Sequence, residues 1–142
     1  MIWLTVAPTA ALACDAQADG SVWSDNCTIG EGFDEAANYI TGTQRILKAL
    51  GFYGGNIDGL WGTLSEGATK NYQADEGLTA DGIVGTNTWG HLDDEIIYYT
   101  YGNPYKYYRT KTESCAGSFR WSVDVTNLWY IKKLNGTWQT NF

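Results

Sequence analysis

Ile57-Asp58-Gly59-Leu60-Trp61-Gly62 and Asp81-Gly82-Ile83-Val84-Gly85 carry one pattern twice, Asp-Gly-x-x-Gly, each time just ahead of a helix-prone run. An Asp-Gly pair builds a tight turn. The carboxylate accepts hydrogen bonds from nearby backbone amides, and the glycine takes a positive φ that other residues avoid. The duplication is therefore a structural device first, one that sets the angle at which the chain enters each helix. Upstream, Ile40, Ile46, Leu47, Ala49 and Leu50 follow the 3–4 spacing of a buried helix face, and Gly51 stops that helix as a glycine just past its end. Thr63 or Ser65 is expected to cap a second helix, with Glu66 in its first turn where the helix dipole favours an anion. That helix carries Ala68 and Tyr72 on one face and ends at Glu76-Gly77-Leu78. Thr86 to Leu92, containing Trp89, reads as a third, short helix.

Residues 14–38 are rich in Gly, Asp, Ser and Asn and read as an irregular lead-in. Asp93-Asp94-Glu95 reads as a solvated, charged boundary. From residue 96 the periodicity becomes two: Phe119, Trp121, Val123 and Val125 alternate with Arg120, Ser122 and Asp124, the mark of a half-buried strand. Leu128–Leu134 and Thr137–Phe142 flank Asn135-Gly136, a two-residue hairpin signal. Ile96–Tyr101 and Tyr105–Lys111 are two further strands, parted by Gly102-Asn103-Pro104. The expected fold class is α+β, with a three-helix domain over residues 39–95 and a small aromatic antiparallel β-subdomain of three to five strands over 96–142.

A chain of 142 residues suffices for one ordinary domain or two very small ones. Hydrophobic residues at 44% and charged residues at 18% describe a globular chain, and aromatics at 15% supply both core and surface rings. Charge is unevenly spread. Residues 1–95 hold three Lys and Arg against fourteen Asp and Glu, a net −11, whereas residues 96–142 hold six against two, a net +4. The acidic part repels nucleic acid, and the basic part is too weakly charged to bind it. Ile2–Ala13 is apolar and ends in Ala11-Leu12-Ala13, as a secretion signal does, although no basic residue precedes it. It is too short to span a bilayer. Three cysteines suit an oxidising compartment. Cys14 pairs with Cys27 in the reading adopted here. In the other, Cys14 is lipid-modified and Cys27 pairs with Cys115.

The run Gln44-Arg45-Ile46-Leu47-Lys48-Ala49-Leu50-Gly51-Phe52-Tyr53 followed by Ile57-Asp58-Gly59 resembles the opening of the peptidoglycan-binding domain found on many cell-wall hydrolases. The likeness continues through Trp61-Gly62, Ser65-Glu66, Ala68, Tyr72-Gln73, Gly77-Leu78, Asp81-Gly82-Ile83-Val84-Gly85 and Thr88-Trp89, and closes at Leu92. It covers residues 40–92, about a third of the chain. Thr43 and Thr69 stand where that family has apolar residues, Tyr72 where it has Phe, and Thr63-Leu64 where it often has Pro-Lys. The resemblance implies a non-catalytic three-helix module that binds wall peptidoglycan and anchors a protein at the wall. Asp58, Trp61, Tyr72, Gln73 and Asp81 are its candidate ligand-binding residues, with Gln73 the one most expected to face ligand. Each has a structural rival: Trp61 and Trp89 as core, Asp58 and Asp81 as turn formers, Tyr72 as core with its hydroxyl at the rim.

The residues give little to catalysis. One histidine, His91, is too few for a zinc hydrolase, and no motif surrounds it or Cys115. Glu31, Asp34 and Glu35 lie together in the lead-in as a solvated turn rather than as a glycosidase pair. No enzyme activity, metal or cofactor is expected. The expected protein is secreted and wall-associated, with peptidoglycan as its partner and no nucleic acid or membrane span. Three other readings stay open: a second carbohydrate-binding module on residues 96–142, an interaction or assembly protein with a protein partner there, and an accessory fragment of a wall hydrolase.

Overall fold

The computed structural model describes residues 23, 26–33, 37–102, 105–111, 119–122, 129–132 and 138–140. Three helices precede five strands: α1 (Ala37–Ala49), α2 (Thr63–Asp75), α3 (Thr86–Asp94), β1 (Ile96–Gly102), β2 (Tyr105–Thr110), β3 (Phe119–Ser122), β4 (Trp129–Lys132) and β5 (Trp138–Thr140). This is the expected α+β order. The candidate signal at residues 1–13, Cys14, Cys115 and the Asn135-Gly136 turn lie outside the described residues.

The helices end as their glycines require. Past α1, Gly51 takes φ +88°. The N–H of Phe52 then reaches the Leu47 carbonyl at 2.8 Å, and that of Gly51 the Lys48 carbonyl at 3.1 Å. Past α2, Gly77 takes φ +70°, and the N–H groups of Leu78 and Gly77 close on the Gln73 and Ala74 carbonyls in the same way. Both ends are Schellman motifs, which satisfy carbonyls the helix leaves open. The helix starts differ from expectation. Gly62 and Gly85 occupy the N-cap positions in extended backbone, and neither Thr63 nor Ser65 caps α2. The Ser65 hydroxyl is drawn inward instead, to accept from Gln44 Nε2 at 3.2 Å.

The core centres on Trp89, which is fully buried. Its ring meets Trp23 and Tyr39 edge-on, at centroid distances of 6.0 and 6.1 Å. Its indole N–H donates to the Cys27 carbonyl at 2.8 Å. The lead-in thus supplies core as well as connection: Trp23, Cys27 and Ile29 are buried. Ile29 and Val84 exchange two backbone hydrogen bonds, of 2.9 and 3.2 Å, as an isolated antiparallel bridge. The threonines that interrupt the apolar pattern are accommodated in the interior. Thr43 and Thr69 are fully buried, and the Thr69 hydroxyl donates to the Ser65 carbonyl at 2.9 Å.

The strands form one antiparallel meander in sequence order, with β1 at an edge. Ile96 pairs with Thr110 and Tyr98 with Tyr108, after which the register steps so that Thr100 faces Tyr107. Tyr99 therefore stands opposite no residue of β2, as a β-bulge. In the next ladder Tyr108 pairs with Phe119 and Lys106 with Trp121. Asp93 and Asp94 were expected in a solvated linker but form the last turn of α3. Glu95 caps that helix, and β1 starts at the next residue. The Lys111 N–H donates to the Glu95 carbonyl at 2.9 Å, which ties the end of β2 to this junction. Ile96 and Tyr108 pack against the helical core.

Two glycines with nearly equal φ test these contacts. Gly59 (φ +72°) sits where a Cβ would lie 2.9 Å from the Ala37 carbonyl oxygen, whereas a Cβ on Gly77 (φ +70°) meets nothing within 4 Å. Gly77→Ala should cost about 1–2 kcal/mol, the left-handed penalty alone. Gly59→Ala should cost roughly 2–5 kcal/mol, since overpacking adds to that penalty. Urea unfolding of both variants measures the difference.

Candidate functional site

The two Asp-Gly turns are built alike, around a buried glutamine each. Gln44, on α1, points its amide into the first turn. Its Oε1 accepts the N–H groups of Asp58 and Gly59, both at 3.0 Å. Its Nε2 donates toward Asp58 Oδ1 (2.9 Å), the Leu60 carbonyl (3.0 Å) and the hydroxyls of Ser65 and Tyr53 (3.2 Å each). Gln73, on α2, repeats this in the second turn. Its Oε1 accepts the Gly82 N–H at 2.8 Å. Its Nε2 donates to Asp81 Oδ1 (2.9 Å), the Ile83 carbonyl (2.8 Å) and Thr88 Oγ1 (3.1 Å). In each turn the Asp Oδ1 also accepts the N–H two residues on, from Leu60 at 3.0 Å and from Ile83 at 2.8 Å. One glutamine thus locks the start of the following helix through Asp, Gly and a hydroxyl in that helix's first turn.

This geometry places the five candidate residues in two groups. Asp58 and Asp81 lie at the surface, each with one carboxylate oxygen spent on its own turn. Trp61 is half-buried and packs against the core. Tyr72 is buried edge-on to Phe52, 5.6 Å between centroids. Its hydroxyl is buried rather than at the rim and has no hydrogen-bond partner among the described residues; burial drives its pKa well above the usual tyrosine range. Gln73, expected to face ligand, is only 1% exposed, with its amide wholly engaged in the turn. Its amide holds Asp81 and the start of α3 in place. Sequence reading missed Gln44 as its counterpart, although the signal was there: two glutamines, each preceding one Asp-Gly-x-x-Gly.

A surface depression of about 320 Å³ opens beside the second turn, lined by Leu78, Thr79, Asp81, Ile83, Thr86 and Asn87, with Gln73 and Thr88 at its floor. It runs on past Leu78 and Asn87 to a wider hollow bordered by His91, Asp93 and Asp94. His91 Nδ1 lies 3.1 Å from Glu76 Oε2 there. The groove is shallow and mixed, offering hydroxyls, an amide and carboxylates beside Leu78 and Ile83, and it suits a flexible polar ligand with small apolar parts. The matching surface of the first turn differs. There Leu60 and Leu64, the positional counterparts of Ile83 and Asn87, are 69% and 67% exposed. Among the described residues, no three His, Cys, Asp or Glu cluster in a way that could hold a metal ion.

Two measurements test the turn architecture. Gln44→Ala and Gln73→Ala should each cost roughly 2–4 kcal/mol in denaturant unfolding, because each strands several buried partners at about 1–3 kcal/mol apiece before relaxation. Asp58 supplies a pH signature. The Leu60 N–H and the Gln44 amide hold its carboxyl below the ordinary carboxylate range. Stability from that group is present above its unfolded pKa of about 3.9 and is lost as pH falls through the lower folded value. Asp58→Asn should flatten the acid limb of the stability curve, by no more than about 1 kcal/mol at this exposed position.

Comparison with known proteins bears on the helical part. Residues 40–92 match the model of a family described as a putative peptidoglycan binding domain. A 45-residue stretch is 47% identical to part of the N-acetylmuramoyl-L-alanine amidase CwlM of Mycobacterium tuberculosis, over 32% of this chain and 11% of that protein. A 61-residue stretch is 33% identical to an uncharacterized protein in the bpoA1 3′ region of Kitasatospora aureofaciens, over 42% of this chain and 52% of that protein. The chain therefore spans about a tenth of one curated relative and about half of the other. No solved structure matches. The three helices and both glutamine-locked turns are thus the part of this chain that matches the peptidoglycan-binding domain family, over residues 40–92.

Proposed function

We propose that residues 40–92 bind peptidoglycan without catalysis and hold the protein, or a partner joined to it, at the bacterial cell wall. The observation that carries this reading is the family match, which runs from within α1 to within α3 and includes both turns. The amidase name of the Mycobacterium tuberculosis relative supports a wall ligand for the shared stretch. The ligand surface we favour is the groove beside the second turn. Asp81 stands at its edge, and Gln73 and Tyr72 act behind it by holding the frame. Asp58 and Trp61 belong to the equivalent first turn, whose more apolar surface is the alternative location for the ligand. Single contacts in such a groove are weak, but a polymeric wall presents many copies at high effective concentration.

The same reading makes the protein secreted and wall-associated, with the helical domain over 39–95 and the β-subdomain over 96–142. A Cys14–Cys27 bridge would fasten the lead-in beside the core. The buried position of Cys27, whose carbonyl receives the Trp89 N–H, supports that fastening point.

Cosedimentation of the full chain with purified sacculi tests the site. Asn87→Arg places a bulky cation on an exposed groove position and should weaken binding roughly tenfold, about 1.4 kcal/mol. Leu64→Arg, at the equivalent place in the first turn, should leave binding unchanged. The reverse result would move the ligand to the Asp58 turn, and an unaltered affinity in both variants would remove the ligand from these two surfaces.

A further inference from the structure

The β1–β2 ladder carries a row of rings that the helical module does not use. Alternation along β2 puts Tyr105, Tyr107 and Arg109 on one face and Lys106, Tyr108 and Thr110 on the other. The second of these faces turns inward at its helical end, since Tyr108 packs on the helical core and Thr110 is fully buried. On the first, the rings of Tyr105 and Tyr107 meet edge-on at 6.4 Å. The Arg109 guanidinium sits 5.8 Å from the centroid of Tyr99. Tyr99 is 51% exposed and is the residue the bulge releases from cross-strand pairing. Tyr105, Tyr107, Arg109 and Tyr99 therefore line one face of the ladder.

We propose that this row is a second wall contact, one that stacks the sugar rings of stem-free stretches of the peptidoglycan glycan strand, where the sugar carboxylate is not taken up in the amide bond to a stem peptide. This rests on the wall-binding reading above but uses a different surface. The chemistry argues for a saccharide. Each ring gives an apolar face together with a hydroxyl, which matches a sugar's C–H face and its hydroxyl rim. Charge argues for an anionic one. Arg109 lies within the row, the exposed Lys111 follows it, and residues 96–142 carry net +4 against −11 in the rest of the chain. A glycan strand with acidic substituents is attracted to the sheet and repelled by the helical part, so the sheet is where it settles. Stem-bearing stretches, whose carboxyl is taken up in the amide bond, are then left to the groove.

The test uses the full chain and glycan strands freed of their stem peptides by enzymatic amide cleavage, with intact sacculi in parallel. Wild-type protein should bind the stripped strands, and more weakly as salt rises. Tyr99→Ala, at an exposed position, should bind them roughly tenfold more weakly, while Tyr99→Trp, which keeps a stacking ring, should match wild type. Arg109→Gln should bind more weakly and lose much of the salt dependence. Failure of wild type to bind stripped strands, or equal binding by Tyr99→Ala, overturns the proposal. So does a wild-type dimer that Tyr99→Ala converts to monomer with no change in glycan affinity, which would assign the row to self-association. Asn87→Arg reports separately on the groove: sacculus binding unaltered by that change, with strand binding still lost in Tyr99→Ala, would sink the groove and leave the sheet contact standing.

Discussion

A buried primary amide, used twice, holds the helical module together. Gln44 and Gln73, themselves buried, each join backbone N–H, a carboxylate oxygen, a carbonyl and a hydroxyl within one turn. Only a side chain with both a donor and an acceptor end can satisfy such a turn, and only at one reach. Glutamic acid would bring a second carboxylate to the Asp, and Leu would strand every partner. The turn in turn places Gly62 and Gly85 at the start of α2 and α3, so the crossing of the three helices descends from two amide groups. Neither helix has a side-chain cap because its N-cap residue is a glycine, and the Ser65 and Thr88 hydroxyls in the first turns face the glutamine of the helix before.

Much of this was legible in the residues. The 3–4 spacing gave the helices, Gly51 and Gly77 marked two ends, the period of two announced the sheet, and the repeated Asp-Gly-x-x-Gly located both turns. What could not be read was direction. Gln73 is polar and adjacent to a core tyrosine, so its sequence fits a surface residue as well as a buried one; only the position of Asp81, Gly82 and Thr88 around it decides. The lead-in misleads for a related reason. Trp23, Cys27 and Ile29 are sparse among polar residues and carry no periodicity, because they pack as single points rather than along a helix face. Asp93 and Asp94 have a linker's composition but continue α3, whose final turn tolerates charge when it faces solvent.

The sheet joins the helices without a spacer. Glu95 ends one element and Ile96 begins the next, and the Lys111 N–H returns to Glu95. With Ile96 and Tyr108 seated on the helical core, the first two strands take their orientation from the module they follow. β1 and β2 therefore meet the helical module directly at this junction, rather than through a tether.

The indole of Trp89 and the carbonyl of Cys27 are 62 positions apart in the chain, and the Ile29–Val84 bridge closes a loop of similar size. Closing loops of that length carries an entropic penalty that must be met before the contacts repay it, so they form late and slowly. A chain emerging from its N-terminus can assemble α1, the first turn and α2 from neighbours alone. Its Trp23 and Ile29 must wait, exposed, for residues 84–89 to arrive. The order of synthesis thus leaves Trp23 and Ile29 as the last pieces secured, once residues 84–89 are in place.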